Sequence, residues 1–471
     1  MLWFWCLAYD TRLTGTGQQS SSDKCFCYPT GTVSKNSSAS VNTPNAPDAA
    51  LEAEILSAVE GSLPQLQSLL STLVGFPSLL GQEASAQDFM QGLFRGLGLA
   101  VDRFQVGDDE LKRLPGYSPA VGHWDHHDNV VGRHVPREAK GRSLILNGHI
   151  DVVPIGAEEL WTTPPFEPRI EGDRLYGRGA GDMKAGIAAY VTAFESLRTL
   201  GLQPAAPVFM QSVVEEECTG NGALACVHRG YRADAALIPE PFHHTLLCAQ
   251  VGVMWLQLEV FGRPAHVMSS TDGINAIEAA YALCEGLQGL AAEWNEPRNR
   301  HPAFADVRNP IRLNLGRIHG GEWASSVPTR CMAELRLGFY PGVTAARIRA
   351  AVEERQRHVA ASDPRLNGAQ YRVHYAGFQA EGCTIDVAHP LMTTLAGAHE
   401  RVVGTSAQPL ASIATTDARV FNLYGDTPAT CYGPEASNIH GIDESVSLES
   451  TRRVTGVIAL FLARWCGVEQ A

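Results

Sequence analysis

The chain has 471 residues, a formal net charge of −13, 45% hydrophobic and 18% charged residues. That length exceeds what one compact core usually holds, so two or three domains are expected, and the balance is that of a globular chain. An acidic balance without a block of Lys or Arg excludes a nucleic-acid footprint, and no apolar run approaches the roughly 18 residues that span a bilayer, which leaves small molecules and other proteins as partners.

In chain order, the start "MLWFWCLAYDTR" is apolar but has neither a basic leading region nor a clear cleavage site, so it does not read as a signal peptide. Residues 15 to about 47 are rich in Ser, Thr, Gly and Asn, and 1–47 reads as a disordered extension or an upstream start outside the domain. Eleven cysteines stand singly apart from Cys25-Phe26-Cys27, which fits a reducing, cytoplasmic setting better than a disulfide scaffold. The regular pattern begins at about residue 48, where "AALEAEILSAVEGSLPQLQSLLSTLVGF" has helical spacing. "RSLILNG" reads as a strand. "AGIAAYVTAFESLRTLG" reads as a helix with Ile187, Tyr190, Val191, Phe194 and Leu197 on one face. "VFMQSVV", "GALACVHRG" and "DAALIPEP" then read as strand, short helix and strand. This alternation predicts an α/β domain over 48–249, with a mainly parallel sheet flanked by helices. Residues 250–378 read strand-helix-strand-strand-helix-strand, the split βαβ plan of a small ferredoxin-like α+β domain inserted into the larger one. The α/β pattern resumes over 379–471 and closes with the helix "ESTRRVTGVIALFLARW".

Several strands of the large domain end in groups that an ordinary strand would not carry. "SLILNGHIDVVP" finishes in His149 and Asp151, another strand finishes in Glu215-Glu216-Glu217, and a third in Glu240 of "IPEP". Asp182 lies in the Gly-rich turn "YGRGAGDMKAG", just before a helix. The carboxyl ends of strands form the binding crevice of open α/β sheets. Carboxylates delivered there together would repel one another unless a cation sat among them, and carboxylate with imidazole suits zinc or a similar divalent ion. His440, in "CYGPEASNIHGIDESVSLES", supplies a second imidazole. Two metals then have a full set: His149 and Glu240 on one, Glu217 and His440 on the other, Asp182 between them. Glu216 is left over as the general base. Gly148 reads as space for the metal to approach. Taken singly, each residue has a plainer reading, Asp182 as a helix cap and the glutamates as a solvated acidic turn; their order and context carry the metal reading.

Together, "NGHIDVVP", "YGRGAGDMKAG", "VVEEECTGNGA", "IPEP" and "GPEASNIHGIDES" resemble the acetylornithine deacetylase, succinyl-diaminopimelate desuccinylase, aminoacylase and glutamate carboxypeptidase family of di-zinc metallohydrolases, over about residues 50 to 468. The resemblance implies two divalent metal ions, zinc with cobalt or manganese as alternatives. It implies that Asp151 orients His149, and that the peptide after Asp182 is cis. It further implies that the inserted domain is a lid and homodimerisation domain. Its His266, in "GRPAHVMSSTDG", would reach the partner's site and steady the oxyanion, and Arg336, in "RLGFYPG", would hold a substrate carboxylate. "EWASSVP" with "RLGFYPG" points to the deacetylase-like branch. The expected activity is therefore hydrolysis of the amide bond of an N-acylated amino acid or short peptide. A dipeptidase or carboxypeptidase of the same family, or an inactive ligand-binding relative, are the alternatives. Ser325, Pro239 and Thr219 stand where the family usually has Asn, Gly and Gly, which leaves the metals intact but the substrate open.

Three other stretches look chemical. "HWDHHDNVVG", His123 to Gly132, precedes a strand rather than ending one and reads as a surface loop. His243-His244 follows Glu240 closely but reads as no more than site rim. Cys25 and Cys27 lack a second pair, so they do not read as a zinc site.

Overall fold

The computed structural model describes residues 47–122 and 127–471. The larger body is built on a six-stranded sheet in the order Ala100–Gln105, Asp128–His134, Val208–Val213, Leu144–His149, Ala235–Ile238 and Ala429–Cys431. The first two pairings are antiparallel and the other three parallel. This is the mainly parallel α/β sheet that the alternating pattern predicts. The strand Leu144–His149 is buried along its whole length, as a central parallel strand must be when helices cover both faces. Its register sets His149 opposite Val213 and Leu146 opposite Leu237. Three parallel strands therefore end nearly level, and the residues just past each of them emerge at one edge.

The helix Ala185–Thr199 is buried on nearly all sides, not on one stripe, because Leu448–Cys466 and Ala49–Gly61 pack on it from outside the sheet. Its Gly and Ala residues permit that approach. Gly148 belongs to the same packing: a Cβ there would lie 2.8 Å from Ile187 Cγ1 and 3.3 Å from Met183 Cε. The space beside Gly148 is thus taken by the helix, not left for an ion as its position at the strand end suggests.

The second body has its own antiparallel sheet, ordered Leu313–Gly320, Arg330–Phe339, Gly252–Phe261 and Gln370–His374. Helices Ala276–Trp294 and Ala345–Ser362 belong to this body and close a separate core with Leu256, Leu258, Leu283, Leu335 and Val352. Asn275 starts the first helix by accepting the amides of Ile277 and Glu278, and Thr344 does the same for the second from Arg347. The strand order is that of the ferredoxin-like plan. Residues 1–47 lie almost wholly outside the described residues, as do Cys25 and Cys27. Among the described residues, no helix is long and apolar enough to cross a membrane.

Candidate metal centre

His149 ends its strand with its ring buried, and Nδ1 faces the backbone carbonyl of Asp151 at 2.9 Å. That contact leaves Nε2 pointing to the sheet edge, where it lies 3.1 Å from Asp182 Oδ1 and 3.8 Å from Glu240 Oε1. On the other side, His440 Nε2 lies 3.1 Å from Glu217 Oε1 and 3.4 Å from Asp182 Oδ2. Asp182 therefore turns one carboxylate oxygen toward each imidazole. Ligand atoms of His149, Asp182 and Glu217 all fall within 4.8 Å of one another. The five side chains singled out in the sequence converge on one place, in two groups that share Asp182.

Asp151 is placed differently from its expected role. Its carboxylate is 3.7 Å from His149 Nδ1, whereas its own carbonyl makes the shorter contact. The carboxylate instead accepts the backbone amides of Glu216 (3.4 Å) and Glu217 (3.1 Å). It orients the acidic turn more directly than the imidazole.

The turn that carries Asp182 is held by a residue to which the sequence motifs assign no role. Glu444 is buried and accepts the amides of Gly179 (3.1 Å), Gly181 (3.0 Å) and Asp182 (3.1 Å), while Arg178 Nη1 neutralises it at 2.6 Å. The Asp182–Met183 peptide is cis. His440 has a positive φ of 62°, as do Asn438 (55°) and Asp443 (51°) in the same loop. Non-glycine residues rarely adopt that region, and such strain gathers at functional sites.

The electrostatics are those of crowded acid. Burial pushes the carboxyl groups of Glu216 and Glu240 well above the usual range, and neighbouring carboxylates add to it. Burial also works against the Asp182 carboxylate, but His149 and His440 outweigh it and hold the group far below its ordinary value. The Glu217 charge, ahead of other causes, pushes His440 up to about 11. A cluster in which buried carboxylates must share protons and draw charged imidazoles to themselves is poorly satisfied by protein alone. Its oxygen and nitrogen donors fit divalent cations, zinc among them.

The remaining expected residues lie elsewhere. Glu216 is buried beside the cluster. His266 is on an exposed turn of the second body, its Nδ1 accepting the Met268 amide, and no described contact joins it to the cluster in the same chain. Arg336 is half-buried and donates to the Ile413 carbonyl at 3.0 Å, a link between the two bodies instead of a surface ion pair. His244 turns away to Ser450 Oγ at 2.7 Å. His127, the last of the histidines in "HWDHHD", is not on a surface loop: it is 3% exposed and sits 2.5 Å from Glu215 Oε1. Burial alone would lower its proton affinity, but the bond to Glu215 and the charges of Glu215, Glu83 and Asp151 raise it. Residues 123–126 of that stretch lie outside the described residues.

A profile of the peptidase family M20/M25/M40 matches residues 145–464. Curated relatives include N-formyl-4-amino-5-aminomethyl-2-methylpyrimidine deformylases. That of Halalkalibacterium halodurans is 27% identical over 441 residues, covering 89% of this chain and 98% of that protein. That of Bacillus subtilis is 28% identical over 431 residues, covering 87% and 96%. Among solved structures, the di-peptidase Dug1p of Saccharomyces cerevisiae superposes with a TM-score of 0.73 at 12% identity, covering 88% of this chain and 98% of that one. Human carnosine dipeptidase 1 superposes with 0.70 at 14%, covering 88% and 99%. At such identities these two likenesses concern the fold alone.

Proposed function

The chain belongs to the peptidase M20/M25/M40 family and is a metallohydrolase of amide bonds; from that premise we propose that it removes a short N-acyl group, formyl foremost, from a small amine. The observation that carries this reading is the extent of the similarity to the two deformylases, which runs over nearly their whole length and across both bodies of this chain.

In this reading His149 and Glu240 would hold one ion, Glu217 and His440 the other, and Asp182 both. When bound, two divalent ions supply the positive charge that polarises the scissile carbonyl and lowers the pKa of a water. Glu216 takes the proton as that water attacks and passes it to the departing amine. Its burial, which favours the protonated carboxyl, suits a base that must hold a proton between two steps. His266 of the partner subunit faces the oxyanion, so the working unit is a homodimer joined through the second body. The products are a carboxylate, formate in the first instance, and a free amine.

A second reading, hydrolysis of a dipeptide or an N-acyl amino acid, is favoured by Arg336. Its guanidinium is drawn between the two bodies without a described carboxylate partner, where burial and the neighbouring Arg312 lower its pKa. A substrate carboxylate would answer that charge.

One experiment separates these readings. Metal content is measured on the purified protein, and turnover is measured on N-formyl, N-acetyl and N-succinyl amino acids, dipeptides and an N-formyl aminomethylpyrimidine. Fastest release of formate supports the proposal. Fastest cleavage of dipeptides would replace it with the second reading, and bound metal without turnover of any amide would make the chain a binding protein.

A further inference from the structure

The acidic turn is gripped from two sides, and only one grip comes from the strand that carries His149. Glu215 opens the turn with φ at 63°, a strained conformation that a non-glycine residue keeps only where its surroundings hold it. Its carbonyl accepts the amides of Thr219 (3.0 Å) and Gly220 (2.8 Å), so the chain winds around this one residue. Its buried side chain then ties the turn down. One oxygen meets His127 Nε2 at 2.5 Å, and the other takes the Thr219 hydroxyl. Two residues past His127, Asn129 accepts the Val214 amide at 3.1 Å and donates to the Gly222 carbonyl at 2.7 Å. The segment around His127 thus clasps the turn at its start and at its end. Asp151 holds the middle through the amides of Glu216 and Glu217.

We propose that His127 is a positioning residue for hydrolysis: by fixing Glu215 it sets where the next two residues, the base Glu216 and the ligand Glu217, are presented. This rests on the roles proposed above for Glu216 and Glu217. A displacement near 1 Å at such a site can cost about a hundredfold in rate, and partners behind metal ligands typically supply about 10–100-fold in affinity or activity. A purely structural pairing of His127 with a buried carboxylate would affect folding stability and nothing else.

The test uses full-length His127→Ala, His127→Phe and His127→Gln. Phenylalanine keeps the ring volume without hydrogen bonds, and glutamine can place an amide N–H where Nε2 stands. Zinc affinity is read by competition with a chelator, and kcat and KM are read on the fastest substrate of the panel, per metal-loaded site and well below Tm. Expected for the Ala and Phe variants is a loss of about tenfold or more in affinity for the weaker-held zinc and in kcat, with KM nearly unchanged. The Gln variant should recover most of both. The proposal is overturned if the folded Phe variant keeps zinc affinity and kcat near those of the parent while only Tm falls, or if Gln restores neither. Should the parent cleave no amide, the functional reading fails by itself, and the chelator competition still decides the positioning role.

Discussion

At the scale of single residues, the least satisfied group beside the cluster is Asp417. It is 1% exposed, and neither carboxylate oxygen has a hydrogen-bond partner among the described residues. It stands at the cap position of the helix Ala418–Tyr424 but makes no side-chain cap bond. Burial, against the opposing pull of His149 and Arg419, raises its pKa to about 7. The folded state therefore prefers the protonated acid, so ionisation costs stability progressively as pH rises from the unfolded value of about 4 through 7. In metal-free protein, Asp417→Asn should raise unfolding stability at pH 8 by about 1–3 kcal/mol, and the gain should shrink as pH falls toward 5. Denaturant melts at both pH values check this; an equal gain at both would show that the ionised carboxylate is not the cost. Glu444 sits inside "GPEASNIHGIDES" and His127 inside "HWDHHDNVVG", yet the sequence shows the task of neither and no sign of Asp417. Glu444 and His127 act through partners far along the chain, the Asp417 carboxylate has no described hydrogen-bond partner, and none of the three ends a strand. His149, Asp182, Glu217, Glu240 and His440 are legible because strand ends and Gly-rich turns announce where a side chain will be displayed. Asp151 is legible as a neighbour but not in its task, since the choice between its carbonyl and its carboxylate is made by backbone geometry.

At the scale of elements, glycines do the positioning that side chains cannot. Glu240 is brought to the sheet edge by a turn whose carbonyls are covered on two sides. A Cβ on Gly433 would lie 2.1 Å from the Glu240 carbonyl oxygen, and one on Gly186 would lie 2.3 Å from that of Pro239. Both clashes are with backbone, which cannot swing aside. Gly433→Ala should therefore shift the Glu240 turn and weaken metal retention, with turnover falling by about tenfold to a hundredfold. Gly61→Ala, where a Cβ meets nothing within 4 Å, is the control and should be neutral or stabilising by roughly 0.5–1 kcal/mol. Metal stoichiometry after dialysis against a chelator compares the two; equal retention would mean that the turn yields without moving Glu240. The elements themselves follow from periodicity: the buried strand Leu144–His149 and the alternating strand Arg330–Phe339 read directly from their residues. What periodicity misses is how many sides of an element are covered. One apolar face is enough to predict the helix Ala185–Thr199, but its all-round burial depends on Leu448–Cys466, which lies far along the chain.

At the scale of the whole molecule, the cluster in one chain has carboxylates and imidazoles but no described contact from His266. That residue sits on a turn fixed to the neighbouring loop by the bridge between His266 and Ser326 and by the Val267 amide on the Ser325 carbonyl. Ser325 thus meets this turn through its backbone carbonyl. Around it Met268 is 89% exposed and Trp323 74%, a small apolar patch on the second body. If His266 acts across a dimer, two different defects can be combined. Glu216→Ala should keep its metal and lose at least about a hundredfold in turnover, the low end of what a general base supplies. His266→Ala should lose activity without losing metal. When the two variants are mixed and allowed to exchange, about half of the dimers in a two-fold assembly are mixed, and each mixed dimer has one site with both residues intact. Activity should then recover to about a quarter of the parent value. Size measurement and a tag on one variant verify that exchange has occurred. No recovery in verified mixed dimers would place His266 in the site of its own chain, and parent-like turnover by His266→Ala alone would place it outside the chemistry.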